Sequence, residues 1–137
     1  MADIRLQALF NQKSREFRTE GAGDRRFRLD FVAATNRATR RMNRDADLDS
    51  EIAVVDDVQA TVTNLNTDYE DILSDGISLY LMHIGQRPAK GAEVDKSELE
   101  TRFAAGITSM YFRLINDQQN ADDSDEDYDI IGLGALG

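Results

Sequence analysis

Leu99, Phe103, Ile107, Met110 and Leu114 fall within one narrow arc when residues are spaced 100° apart, and no other pattern in the chain limits its fold as tightly. A stripe that returns every three or four residues cannot line one face of a strand, whose side chains alternate. It predicts an amphipathic helix that must bury one side against a neighbour. Asp95 or Ser97 is placed to cap its start, Tyr111 and Ile115 flank the stripe, and its expected end is near Asn116.

Three further segments offer partner faces. Residues 4–17 read as a first helix with Leu6, Phe10 and Phe17 on one side. Gly21 and Gly23 break the pattern, and Asp24 can cap the next helix by accepting from its free N–H groups. Residues 25–44 then place Phe27, Phe31, Ala34, Ala38 and Met42 on one stripe. Arg26, Arg37, Arg40 and Arg44 form a second stripe, with Arg41 between the two. Asn66, Thr67 and Asp68 supply caps for a third helix from Tyr69 to about Ile84, with Tyr69, Leu73, Ile77, Tyr80 and Ile84 along its apolar side. Gly76 lies on that side too. Glycine costs about 1 kcal/mol in a helix interior relative to alanine, so a closely approaching neighbour helix is the expected compensation. Gly85 followed by Pro88 reads as a stop signal.

Between the second and third helices, Asp45, Asp47 and Asp49 follow a helix C-terminus, where negative charge opposes the dipole, so a turn is expected. Val58, Ala60 and Val62 alternate with polar residues. That favours a short strand or extended arm over about 52–65, with a helical reading of the same stretch still open. The expected fold is therefore mainly all-α: a four-helix domain over 1–116 with one extended arm. Residues 117–129 hold 7 acidic and no basic residues, a composition expected to stay disordered in the free protein. The chain then finishes with Ile130, Ile131, Leu133 and Leu136 among small residues. Residues 117–137 thus read as an acidic tether with an apolar docking tip.

Little in the sequence supports catalysis. There is no Cys and a single His, His83, so thiolate chemistry and zinc sites of the usual Cys/His kind are excluded. His83 reads as a hydrogen-bonded structural histidine. Asp45, Asp47 and Asp49 share the opening spacing of a calcium loop, but Ser50 stands where that loop requires glycine and Asp56 replaces its bidentate glutamate. Gly21-Ala22-Gly23 lacks the further glycine and the lysine of a phosphate-binding loop. We read no metal site, no cofactor and no enzyme. No segment approaches the roughly 20 apolar residues that span a bilayer, and the first residues lack a signal-peptide core. A protein made in a cytoplasm, without membrane contact, is expected.

The charges are divided unevenly. Residues 1–44 carry 11 Arg or Lys against 5 Asp or Glu, whereas the chain as a whole stands at −10. Such polarity favours contact between copies, positive end to negative end. The arginine stripe suits carboxylates of a protein partner, phosphates of DNA, or plain solvation. The tip suits addition to a sheet edge or a groove on another subunit.

Taken in order, these parts resemble the head-to-tail adaptor (connector) proteins of tailed bacteriophages. The resemblance rests on the N-terminal helix, the Arg-bearing helix with Phe27, Phe31 and Ala38, and the loop over 45–67. It continues through Asp68-Tyr69-Glu70-Asp71-Ile72-Leu73-Ser74-Asp75-Gly76-Ile77 into Tyr80-Leu81 and Gly85, a last helix from near Ser97, and an extended tail. It implies a virion structural protein of the neck, assembled as a twelve-fold homo-oligomeric ring on the portal protein. Such a ring carries the next neck or tail protein and continues the DNA channel, with non-specific contact to packaged DNA. It also implies that Ile130, Ile131, Leu133 and Leu136 grip the portal, while Arg26, Arg37, Arg40, Arg41 and Arg44 face a neighbouring subunit or the channel. The competing reading is a small acidic regulatory module that binds protein or mimics nucleic acid.

Overall fold

Each helix begins or ends where local chemistry dictates. In the computed structural model, which describes residues 3–19 and 24–131 and side chains up to Gln119, four α-helices and a two-stranded sheet account for the regular elements. Strand β1 (Asp3–Arg5) leads directly into α1 (Leu6–Glu16). Helix α2 (Arg25–Asp45) starts at Asp24, whose carboxylate accepts from the Phe27 N–H, as expected of a cap. Strand β2 (Thr61–Asn66) passes through a 3-10 turn (Thr67–Tyr69) into α3 (Glu70–Ile84). Asn66 caps that turn by accepting from the Asp68 N–H. Gly85, at φ +119°, ends α3 in the left-handed conformation that favours glycine. Helix α4 (Lys96–Ile131) starts beyond Asp95, which accepts from both the N–H and the hydroxyl of Ser97. The chain is thus a mainly helical domain.

Two boundaries differ from those expected. The first helix begins two residues later, because Asp3–Arg5 pairs antiparallel with β2, Ile4 opposite Val62 and Arg5 opposite Thr61. That pairing joins segments far apart in sequence and leaves no trace in local periodicity. The last helix does not stop near Asn116. Helical backbone runs on through the acidic stretch to Ile131. Propagating a helix costs far less than nucleating one, and no proline or glycine interrupts the chain between Ile107 and Ile131. The glycine break at 21–23 and the tip residues Leu133 and Leu136 lie outside the described residues.

Helix α3 is the central element, packed on α2 on one side and α4 on the other. The predicted stripes form the core: Phe27, Phe31, Ala34, Ala38 and Met42 of α2, Leu73 and Ile77 of α3, and Leu99, Phe103, Ile107 and Met110 of α4 are all buried. Helix α1 packs against the first half of the buried stripe of α2 and reaches α3 through Lys13. The Phe10 ring meets Phe31 edge-on at 5.3 Å and Phe27 at 5.8 Å, and Phe17 continues the cluster at 6.2 Å from Phe27. Backbone hydrogen bonds Arg18 N–H to Arg87 O and Ala89 N–H to Glu16 O tie the end of α1 to the loop after α3. Gly76 sits where all three long helices converge, so the close approach expected there is present on two sides.

The extended arm has two parts: residues 51–58 repeat every three residues, and the alternation of Val58, Ala60 and Val62 then leads into β2. Ile52, Val55 and Val58 are buried and the residues between them exposed. A repeat of three is the period of a polyproline-II ribbon, which satisfies no backbone partners of its own. The arm is instead clamped to α2. The Asn36 side-chain amide donates to Val55 O and its oxygen accepts from Val55 N–H, both at 2.9 Å. Asn43 does the same to Ile52, at 3.1 and 2.7 Å. Seven helical residues rise about 10.5 Å and three extended ones about 9–10 Å, so the two clamps share one register.

Candidate interaction surfaces

The buried stripe of α2 determines which of its residues remain outside. Arg26, Leu29, Ala33, Arg37, Arg40 and Arg44 are all exposed along the opposite side. Arg26 pairs with Asp30 at 3.3 Å and Arg44 with its neighbour Asp45 at 2.8 Å, both exposed contacts of small energetic value. Arg37 and Arg40 make no ion pair with any described residue. Four of the five arginines singled out from the sequence therefore share one open face, whose C-terminal half borders a shallow cleft shared with Glu51 and Tyr80.

Arg41 does not belong to that face. Its guanidinium turns inward, donating to both oxygens of Glu100 at 2.9 and 2.6 Å and lying 5.1 Å from the centre of the Phe103 ring. Asp45 and the Tyr80 hydroxyl complete the site at 3.3 and 3.4 Å. The hydrogen bonds from Arg41 hold the Glu100 carboxyl below its usual range, against the opposing effect of burial. Arg41 fastens α4 to α2 and is spent on the fold. The signal was its place between the two stripes, one turn from buried Ala38.

A second charged group was missed altogether. Lys13 continues the apolar side of α1 between Phe10 and Phe17, and it is buried. Its ammonium donates to Ser74 Oγ at 2.7 Å and Glu16 Oε1 at 3.1 Å, in a cleft between α1 and α3 that Asp75 and Arg102 border. Burial pushes the Lys13 pKa down, outweighing the pull of Glu16. For Glu16, burial acts upward, but the hydrogen bond from Gln12 and the charge of Lys13 prevail and hold it low. A lysine with a lowered folded pKa binds fewer protons than the unfolded chain, so its contribution to stability rises with pH through that window. Lys13→Met is expected to change unfolding free energy at pH 7 by less than about 1 kcal/mol, because an isosteric apolar side chain replaces a desolvated charge. Glu16→Leu, which abandons the ammonium, is expected to cost about 1–2 kcal/mol, a loss tempered by the partial exposure of Glu16. Urea titrations of both variants check the order, and equal losses in the two would mean that the ion pair itself is the source of stability.

The remaining candidates separate clearly. His83 is exposed on the last turn of α3, with the Tyr80 ring 5.6 Å away, and makes no hydrogen bond to a described residue, contrary to the structural role expected. Its position at a helix end, past the last fully buried residue, leaves it facing solvent. Asp45 is engaged by Arg41 and Arg44, and no group of three metal-ligating side chains gathers among the described residues. No described helix is long and apolar enough to cross a membrane.

The acidic end of α4 is the other prominent feature. Leu114 and Ile115 are its last half-buried residues among those with described side chains, and Asn116 to Gln119 are exposed. The helix then continues to Ile131, about 24 Å past Ile115 at 1.5 Å per residue. The stretch carries Asp117, Asp122, Asp123, Asp125, Glu126, Asp127 and Asp129 before the Ile130-Ile131 pair. Compared with known proteins, the chain matches no family model, no curated protein and no solved structure.

Proposed function

We propose that this protein is a structural head-to-tail adaptor of a tailed bacteriophage, forming a ring on the portal and continuing the DNA channel towards the neck and tail. The observation that carries the reading is the reach of α4. A helix about 54 Å long has its last half-buried described residue at Ile115, and its backbone continues through the acidic stretch to Ile131, next to the apolar end of the sequence. Ile130, Ile131, Leu133 and Leu136 are the residues that would seat on the portal, where burial of four aliphatic side chains offsets the ordering of the segment. The helical domain behind them supplies a rigid body to pack side by side, and the acidic balance of the chain suits a channel wall that must not retain DNA. The function needs no catalytic group, metal or cofactor.

Deletion of residues 130–137 tests the reading. The truncated protein is expected to keep the helical circular dichroism and melting temperature of the full chain, while losing co-sedimentation with portal rings. A fall in melting temperature of more than a few degrees would show that the tip belongs to the chain's own core. Unchanged portal binding would remove the role assigned to it.

A further inference from the structure

The exposed side of α2 and the far end of α4 are opposites in charge, and one chain cannot join them. Helix α4 is continuous from Lys96 to Ile131, and near its start Glu100 is held by Arg41 of α2. Further along, Met110 to Gln118 border the turn after α2 together with Asp47 and Leu48. Between those two points α4 passes from the level of Arg41 to beyond the end of α2, so its helical backbone continues away from Arg37 and Arg40 of the same chain. An unbroken helix cannot double back. We infer that the Arg37–Arg40 face of α2 receives the acidic end of α4, residues 117–129, from a second copy of this chain.

Charge complementarity selects this occupant. Arg37 and Arg40 are the exposed guanidinium groups of that face without an ion-pair partner among the described residues, in a protein of net charge −10. Between Arg26 and Arg37 the face carries Leu29, 60 % exposed, and Ala33, giving an apolar strip on which a second helix can lie. The donor segment contains seven carboxylates and no basic residue. A guanidinium fork takes a carboxylate with two parallel hydrogen bonds, so helix-on-helix pairing gives register as well as attraction. Donor and acceptor are different surfaces of the same chain, so the contact is heterologous and propagates from copy to copy, closing into a ring where the rotation allows. This deepens the adaptor reading by naming the neighbour-facing surfaces, yet it needs no portal and is tested without one.

The test is sedimentation velocity of the full-length protein over a concentration series in low salt. Wild type is expected to self-associate, with the apparent dissociation constant rising at least tenfold between 50 and 300 mM salt, in keeping with exposed ion pairs. Arg37→Glu with Arg40→Glu is expected to abolish association, and so is Asp122→Lys with Asp123→Lys and Glu126→Lys. Mixing the two charge-reversed proteins should restore a complex, because each still offers the surface that complements the other. Arg37 and Arg40 are exposed, and circular dichroism of every variant verifies the fold. Wild type that stays monomeric at every concentration, or variants that do not complement, would overturn the inference. So would salt-sensitive binding of a DNA duplex that is lost in Arg37→Glu/Arg40→Glu while self-association persists. Failure to bind portal with self-association intact would count against the adaptor reading alone.

Discussion

Gly76→Leu is expected to abolish folding, and even Gly76→Ala to lower unfolding free energy, by about 1–2 kcal/mol, although alanine is the better helix former by about 1 kcal/mol. A Cβ at this position would stand 2.6 Å from two atoms of the Phe103 ring and 2.9 Å from the Ala38 Cβ, on two different helices. The ring cannot retreat easily: it is fully buried, with Arg41 over its face and Tyr80 edge-on at 6.2 Å. Overpacking of that kind forces side chains off their rotamers or pushes helices apart. Thermal unfolding of Gly76→Ala checks the direction, and a raised melting temperature would mean that intrinsic propensity outweighs the contact. Phe103→Leu in the Gly76→Ala background should recover part of the loss, so that the two substitutions together cost less than their sum.

Removing both asparagine clamps has an effect of similar size. Asn36→Ala and Asn43→Ala are each expected to cost about 2 kcal/mol, because each strips a donor and an acceptor from backbone groups beside buried Ile52 and Val55. The pair together should approach about 4 kcal/mol, a large part of the roughly 5–15 kcal/mol that holds a domain folded. The loss is local before it is global. Amide hydrogen exchange at Ile52 and Val55 should accelerate well beyond that at Leu73 or Ile77, and proteolysis should begin within residues 48–60. Unchanged exchange at those two amides in the double variant would mean that apolar contacts alone hold the arm.

These two sites mark the difference between what was legible in the sequence and what was not. The helical stripes were readable because burial of a helix repeats with the helix's own period, and the Asp24 and Gly85 boundaries because caps act within a few residues. The tight approach at Gly76 was readable for the same reason: a costly residue on an apolar side needs a neighbour to excuse it. The arm was legible as extended, and the alternation of Val58, Ala60 and Val62 leads into β2 as expected, but the three-residue repeat before it was not, since its attachment depends on Asn36, 19 residues away. The pairing of β1 with β2 was hidden likewise by separation in sequence. On the arginine face, residue type and spacing sufficed for Arg26, Arg37, Arg40 and Arg44. The inward turn of Arg41 depends on Glu100, which only the packing of α4 brings near.

The helical form of the acidic stretch has a consequence for how the terminus can vary. A disordered leash would tolerate insertions of any length, since its end explores all bearings. A helix couples reach to azimuth: each added residue advances the end by about 1.5 Å and swings it by about 100°. Changes of three or four residues preserve the heading of Ile130 and Ile131 to within a fraction of a turn, while changes of two aim them at the opposite side. The helical backbone after Ile115 behaves as a threaded rod, whose length and bearing change together.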